Sequence, residues 1–115
     1  MSRKKGDQFE KKATLWLKKQ KLIILKQNYS CQFGEIDIIA KDKNEYVFIE
    51  VKQRSSIQFG MACEMVSREK QKKIIKTAII YLKQKYQNLD IPMRFDIISF
   101  QEQKISWLKN AFASA

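Results

Sequence analysis

Two segments of the chain space their apolar residues as an amphipathic helix does. Residues 7–20 form the first segment and residues 67–86 form the second, in which Ser67 is a suitable N-cap. In both segments apolar residues recur every three or four positions, which predicts a helix with one face on a core. The residues predicted to face inward are Phe9, Ala13, Trp16 and Leu17 in the first helix and Ile74, Ile75, Ala78 and Leu82 in the second.

The other periodic segments alternate in polarity or are rich in β-branched residues, which predicts strands. These strands are predicted over residues 22–29, 32–40, 45–52, 93–100 and 104–108. Residues 53–66 show no clear period and predict a loop long enough to have a function. The order α-β-β-β-α-β-β favours one α/β sandwich domain over residues 1–115, with a mixed central sheet of about five strands. Residues 1–6 are expected to form a flexible basic arm.

The second and third strands have an unusual mixture of apolar and charged residues on one face. Strict alternation gives Glu35, Asp37, Ile39, Phe48, Glu50 and Lys52 on that face, and Ile36, Ile38, Ala40, Val47, Ile49 and Val51 on the other. The polar break at residues 41–44 predicts a hairpin turn between the two strands. A strand face is normally apolar inside or freely polar outside, so the mixture indicates a site.

Turn length decides how the acids of this hairpin meet. A two-residue turn at Lys43 and Asn44 sets Asp37 opposite Glu50, whereas a four-residue turn sets Glu35 opposite Glu50 and leaves Asp37 one diagonal step away. In either case the carboxylates converge, with Cβ atoms about 4.5–8 Å apart. Facing carboxylates repel each other, and a divalent cation would remove that penalty. An odd-length turn would separate them.

The residue types present restrict the chemistry that is open to this chain. It contains no histidine, which excludes Ser-His-Asp and Cys-His catalysis and histidine-based zinc sites. Cys31 and Cys63 have no CxxC spacing, so neither a zinc site nor a disulfide framework is expected. Any metal must be held mainly by oxygen, which favours Mg²⁺ or Mn²⁺ as the cofactor.

The net charge of +11 is concentrated on the two predicted helices. Residues 1–21 carry eight basic and two acidic residues, and residues 67–85 carry seven basic and one acidic. A solvated lysine surface would also show this pattern, but the scarcity of acids favours a face that binds a polyanion, with nucleic acid as the partner. The sequence shows no membrane span and no secretory signal, so we expect a cytoplasmic protein and no membrane partner.

Three segments of the chain resemble a known family. Residues 34–40, 48–54 and 94–97 read GEIDIIA, FIEVKQR and RFDI, and the chain resembles the YraN-type family of small bacterial proteins over residues 6–112. That family is related to archaeal Holliday-junction resolvases and has a restriction-endonuclease-like fold. The resemblance implies a metal-dependent endonuclease-like protein that acts on DNA, including branched or repair intermediates. It also makes a homodimer plausible. The alternative is a nucleic-acid-binding module that keeps this fold without cleaving.

The resemblance also implies roles for individual residues. Asp37, Glu50 and Lys52 match the PD-(D/E)xK signature, and the Val51 carbonyl lies where such sites often supply a further metal ligand. Glu10 matches the helical glutamate that resolvases of this type add to the catalytic and metal-binding set. Ile36 stands where the signature often has proline.

Several residues keep two interpretations at this point. Glu10 is either a site residue or the capping-box partner of Asp7 at the start of the helix. Glu35 is either an outer ligand or a polar strand residue. Asp96 is interpreted as a structural partner of Arg94, and the two tryptophans, Trp16 and Trp107, as packing residues.

A cluster of basic residues begins the second helix. Its members are Arg68, Lys70, Lys72, Lys73 and Lys76. Single lysines are ordinary surface charges, but the cluster forms a credible contact face for a nucleic-acid backbone. Arg54 directly follows the signature and is expected to touch the scissile strand.

Overall fold

The computed structural model describes residues 3–54, 66–88, 90–102 and 104–113. These residues form an α/β sandwich with the predicted order α-β-β-β-α-β-β. The elements are α1 Arg3–Lys19, β1 Ile23–Cys31, β2 Gly34–Asp42, β3 Glu45–Arg54, α2 Arg68–Lys83, β4 Met93–Gln101 and β5 Lys104–Phe112. Most of the loop predicted over residues 53–66 lies outside the described residues.

Most of the predicted element bounds are close to the observed ones. Ser67 caps α2 as predicted, because its side chain accepts a hydrogen bond from the Lys70 backbone N–H. The helix ends at Lys83, three residues before the predicted end, and β5 extends four residues beyond the predicted 108. The helix α1 begins at Arg3 rather than at residue 7, so residues 3–6, expected as a flexible arm, are helical.

The five strands form one mixed sheet in the order β1-β2-β3-β4-β5. The pair β3–β4 is parallel and the other three pairs are antiparallel. Parallel neighbours need a long connection, which contains α2 here. This topology agrees with the restriction-endonuclease-like sandwich that the family resemblance implies.

Each face of the sheet has its own apolar core. The core beneath α2 contains Ile36, Ile39, Tyr46, Phe48, Val66, Ile74, Ala78, Tyr81, Leu82, Phe95 and Ile97. The core beneath α1 contains Ala13, Leu17, Leu22, Ile38, Ala40, Val47, Ile49, Ile98 and Phe100. Strand β3 alternates between them as predicted, so Glu50 and Lys52 share the face of Phe48 on the α2 side.

Strand β2 departs from the predicted alternation at one residue. Ile38 packs beneath α1 as predicted, but Ile36 packs beneath α2, so its predicted face is wrong. The β1–β2 pairing passes from Gln27↔Ile38 to Tyr29↔Ile36 around Asn28, whose φ is 53°. The regular pleat is therefore interrupted at Asp37, the residue between Ile36 and Ile38.

A buried ion network fixes the α1 side of β4. The Arg94 Nε donates to Asp96 at 3.1 Å, and its Nη1 donates to Asp42 at 3.1 Å and Glu45 at 2.9 Å. Asp96 is fully buried and also accepts the Trp107 indole N–H. These contacts confirm the interpretation of Asp96 as a structural partner of Arg94. They also tie the β2–β3 turn to β4.

The two tryptophans are packing residues, as predicted, and their rings also contact each other. Trp16 and Trp107 form an edge-to-face pair with centroids 5.1 Å apart. Both rings pack against the core beneath α1. Among the described residues, no helix is both long and apolar enough to cross a membrane.

Candidate functional site

A cavity of about 690 Å³ opens beyond the last β2–β3 pair, Ile38↔Ile49, and both helices contribute to its wall. Its lining residues are Phe9, Glu10, Gly34, Glu35, Asp37, Glu50, Val51, Lys52, Gln53, Ser67, Glu69, Lys70, Lys73 and Ile74. All four residues predicted to be catalytic are in this list, although they come from three different elements. We call this space the site cavity.

The register of the hairpin places the two signature acids together. Asp42 pairs with Glu45 across the turn residues Lys43 and Asn44, so the hairpin has the two-residue turn, one of the two turn lengths that the sequence left open. The same register, continued beyond Ile38↔Ile49, sets Asp37 opposite Glu50. Here the Val51 backbone N–H donates to Asp37 Oδ2 at 2.8 Å, so the carboxylate itself joins the two strands.

Asp37 is held in a position that disfavours its charged form. Burial and, next in size, the negative charge of Glu50 raise the pKa of Asp37 to about 8. The hydrogen bond from Val51 opposes this shift, and the charge of Glu10 adds to it. Three acidic side chains therefore act on one another electrostatically at this point.

Glu50 is 5% exposed, and two ammonium groups neutralise it. Its Oε2 forms an ion pair with Lys70 from α2 and lies 3.6 Å from the Lys52 Nζ. Burial, and then the neighbouring Lys70, lowers the pKa of Lys52, with Glu50 opposing the change. Burial alone would also lower the pKa of Lys70, but the hydrogen bond and charge of Glu50 outweigh it, and the net shift is upward.

The glutamate of α1 also contributes to the wall of the site cavity. The Phe9 ring packs against Phe100 with centroids 5.1 Å apart, which holds the start of α1 against β4. Glu10 follows and lines the cavity. The helix runs from Arg3 through both Asp7 and Glu10, so Asp7 is not an N-cap and the capping-box interpretation of Glu10 is wrong.

The structure separates the residues predicted to contact nucleic acid into three groups. Lys70 and Lys73 line the site cavity, and Lys72, Lys73 and Lys76 line a second concave surface next to it. Arg68 is exposed in the first turn of α2. Strand β3 reaches Arg54, whose side chain lies outside the described part of the chain.

The candidate metal ligands are oxygens, which suit a hard divalent cation, but they are few. Within the described residues there is no group of three or more histidine, cysteine or acidic side chains positioned to hold a metal. Mg²⁺ needs only one or two protein carboxylates, since it keeps several waters and shares substrate phosphates. The mutual repulsion of Asp37 and Glu50, which contributes to the raised pKa of Asp37, is what a cation between them would relieve. The Val51 carbonyl and Glu10 are the further candidate ligands.

The contact between Lys70 and Glu50 was not predictable from the sequence. The two residues are twenty positions apart, and the spacing of lysines in the helix predicts only a basic surface. Phe9 and Glu69 are also cavity residues without a sequence signal. Phe9 appears in the sequence as an ordinary member of the apolar stripe.

Comparison with known proteins gives a consistent result over most of the chain. The family described as "Uncharacterised protein family UPF0102" matches residues 9–100 and is the YraN family, which confirms the resemblance. A UPF0102 protein of Francisella tularensis subsp. novicida is 46% identical over 108 residues, 93% of this chain and 92% of that protein. A UPF0102 protein of Clostridioides difficile is 45% identical over 113 residues, 96% of this chain and 98% of that protein. A third, from Legionella pneumophila, is 44% identical over 115 residues, 97% of each chain.

Proposed function

This chain belongs to the family UPF0102, and from the geometry of the site cavity we propose that it is a metal-dependent nuclease that hydrolyses phosphodiester bonds in DNA. The observation that carries this proposal is the meeting of Asp37 and Glu50 in one cavity, with Lys52 3.6 Å from Glu50. Two carboxylates that repel each other destabilise the fold, so a purely structural role does not account for this pair beside an open cavity.

Each site residue has a chemical task in this proposal. Asp37 and Glu50 would hold Mg²⁺ or Mn²⁺, with the Val51 carbonyl and Glu10 as further ligands. The cation supplies Lewis-acid polarisation of a phosphoryl oxygen and a more acidic bound water. Lys52 donates hydrogen bonds to the phosphate oxygens or to the attacking water, and its charge stabilises the negative charge that develops on phosphorus-bound oxygens.

The charge around the site cavity supports a polyanionic substrate. Lys70 and Lys73 line the cavity, and Lys72 and Lys76 lie on the adjacent surface of the same helix. Positive side chains along one helix can follow the phosphates of a strand without reading its sequence. DNA, including branched or repair intermediates, is the substrate class that we propose.

One observation favours a second function, a nucleic-acid-binding module without turnover. Glu50 Oε2 already has ion pairs with Lys70 and Lys52, so its charge is balanced by the protein's own residues. In that case the basic face of α2 would bind nucleic acid in a salt-dependent way, and no metal would bring about cleavage. Glu50→Gln would then leave binding unchanged or tighten it, because it removes a negative charge from a phosphate-binding surface.

The deciding experiment incubates the purified protein with single-stranded, nicked and branched DNAs in Mn²⁺, Mg²⁺ or EDTA. We expect cleavage with either metal, no cleavage in EDTA, and a loss of roughly a hundredfold or more in Asp37→Asn and Glu50→Gln. Asp90→Asn and Glu102→Gln, which make the same chemical changes outside the site cavity, should retain the wild-type rate. Circular dichroism checks that all four variants are folded.

Two results would separate the functions. Cleavage that survives in both Asp37→Asn and Glu50→Gln would remove these residues from the active site. Tight, salt-dependent binding with no cleavage of any DNA in either metal would establish the binding module instead.

A further inference from the structure

The turn between β1 and β2 presents an aromatic ring beside the basic helix. Phe33 is 40% exposed, whereas Phe48 and Phe95 in the core are almost fully buried. The ring borders a concave surface of about 400 Å³, which we call the turn pocket. The turn pocket is lined by Gln32, Phe33, Glu69, Lys72, Lys73 and Lys76.

Several contacts fix this turn against α2. A Cβ atom added at Gly34 would lie 3.4 Å from the Lys73 Cβ and 3.5 Å from the Thr77 Oγ1, which is van der Waals contact, so the turn lies directly against α2. The Cys31 thiol donates to Thr77 Oγ1 at 3.5 Å, and the Phe33 backbone N–H donates to Cys31 Sγ at 3.4 Å. The backbone that carries Phe33 is therefore held against the lysine-bearing face of α2.

The charge beside the ring is positive. The Lys76 Nζ lies 5.5 Å from the centroid of the Phe33 ring, within the range of a cation–π contact. Lys72 and Lys73 border the same pocket, against one acid, Glu69. An aromatic ring for stacking together with ammonium groups for phosphate is the combination that binds single-stranded nucleic acid.

The turn pocket lies next to the site cavity. Both are bordered by Glu69 and Lys73, so one strand can occupy the two together. Lys76 lies six positions after Lys70, about 9 Å along the helix axis.

We propose that Phe33, with Lys72, Lys73 and Lys76, binds an unpaired nucleotide of a DNA strand whose neighbouring phosphate lies in the site cavity. A base can stack on a protein ring only where its own face is free, as in a single-stranded tail or branch. This inference rests on the proposed function for the position of the strand, and it specifies the substrate as DNA with a single-stranded segment beside the bond to be cut.

The test measures binding without turnover, by fluorescence anisotropy in EDTA. One ligand is a blunt DNA duplex, and the other is the same duplex with single-stranded tails. Wild-type protein should prefer the tailed duplex. Phe33→Ala should weaken binding to the tailed duplex roughly tenfold and leave binding to the blunt duplex unchanged.

Matched variants identify stacking as the cause. Phe33→Tyr keeps a ring and should keep the preference for tails, whereas Phe33→Leu keeps apolar bulk and should lose it. Leu15→Ala removes an exposed apolar side chain on α1 and should bind both ligands as wild type does. Thermal melting confirms that each variant is folded.

Several outcomes overturn the inference. Unchanged binding of the tailed duplex by Phe33→Ala would exclude the ring as a contact, and an equal loss on both ligands would exclude a role for unpaired bases. Tighter binding of a tailed RNA duplex than of tailed DNA would overturn the assignment to DNA. Because no cleavage is measured, loss of the tail preference in Phe33→Ala would support this inference even if Asp37→Asn retained nuclease activity.

Discussion

At the level of single residues, Lys70 contacts the carboxylate that we propose as a metal ligand. Its ammonium pairs with Glu50 Oε2, and Lys52 approaches the same oxygen. A basic residue from the helix thus offsets the charge that the two strand acids bring together. The same side chain is 44% exposed, so it can also reach a phosphate outside the cavity.

Lys70→Gln should therefore bind Mn²⁺ more tightly than the wild type. A cation between Asp37 and Glu50 would compete with the Lys70 ammonium for Glu50 Oε2. Glutamine has no positive charge, so it would neither pair with that oxygen as an ion nor repel the metal. Because Lys70 is partly exposed while Glu50 is buried, we expect a gain of about three- to tenfold in affinity. Isothermal titration with Mn²⁺ measures this gain.

Lys73→Gln removes the same charge from the same cavity wall one helical turn away and should have a smaller effect. Weaker Mn²⁺ binding by Lys70→Gln would show that the lysine supports the metal rather than competes with it.

Asp37 should make the stability of the fold depend on pH. Its pKa is about 8 in the folded protein, because of burial and the charge of Glu50, against the ordinary 3.8 expected in the unfolded chain. Between these values the folded protein binds more protons than the unfolded chain, so the contribution of Asp37 to stability falls as pH rises and is lowest above pH 8. Asp37→Asn cannot ionise and can still accept the Val51 hydrogen bond.

Asp37→Asn should thus be more stable than the wild type at about pH 8.5 and similar to it near about pH 4. We expect a difference of about 1–3 kcal/mol in the free energy of unfolding at the higher pH, which allows for partial exposure of the group. Urea unfolding in EDTA across this pH range measures it. Asp90→Asn, at an exposed position, is the control. A difference that does not change with pH would argue against a raised pKa at Asp37.

At the level of elements, the sequence was most informative where a single rule decides the geometry. Side chains in a strand alternate with a period of two, and a two-residue turn fixes the register of a hairpin. Those rules place Glu50 and Lys52 on one face and predict that Asp37 and Glu50 converge, either directly opposite each other or one diagonal step apart. The Lys43 φ of 58° allows the tight turn that this register needs.

The errors arose where a local irregularity or a distant partner decides the structure. Strict alternation predicts the wrong face for Ile36 because it assumes an unbroken pleat. Asn28, across from Asp37, has a left-handed backbone conformation that interrupts the pleat. The sequence also gave no indication that Lys70 meets Glu50, since that contact depends on how α2 returns over the sheet. Side-chain pairing across elements needs the three-dimensional packing.

At the level of the whole molecule, the two basic helices cover opposite faces of the sheet, yet both contribute residues to the site cavity. The residues from α1 are Phe9 and Glu10, so the positive charge nearest the acid pair comes from α2, through Lys70 and Lys73, and from Lys52. Such positive charge would attract the nucleic acid that we propose as the substrate and would raise its rate of association. It also makes binding strongly dependent on salt, because each phosphate contact releases counterions.

The salt dependence should be greatest for the part of α2 beside the site. Suppose that Lys72 and Lys76 each contact a phosphate. The double variant Lys72→Gln with Lys76→Gln should then make the negative slope of log affinity against log salt less steep, by about 2, on duplex DNA. Lys83→Gln with Lys85→Gln removes the same charge at the other end of the helix, where no contact is proposed, and should change the slope by less than half as much. Anisotropy titrations over a series of salt concentrations measure both slopes. Equal losses in the two double variants would mean that DNA responds to the overall charge of the molecule, and the surface beside the cavity would then have no special role in binding.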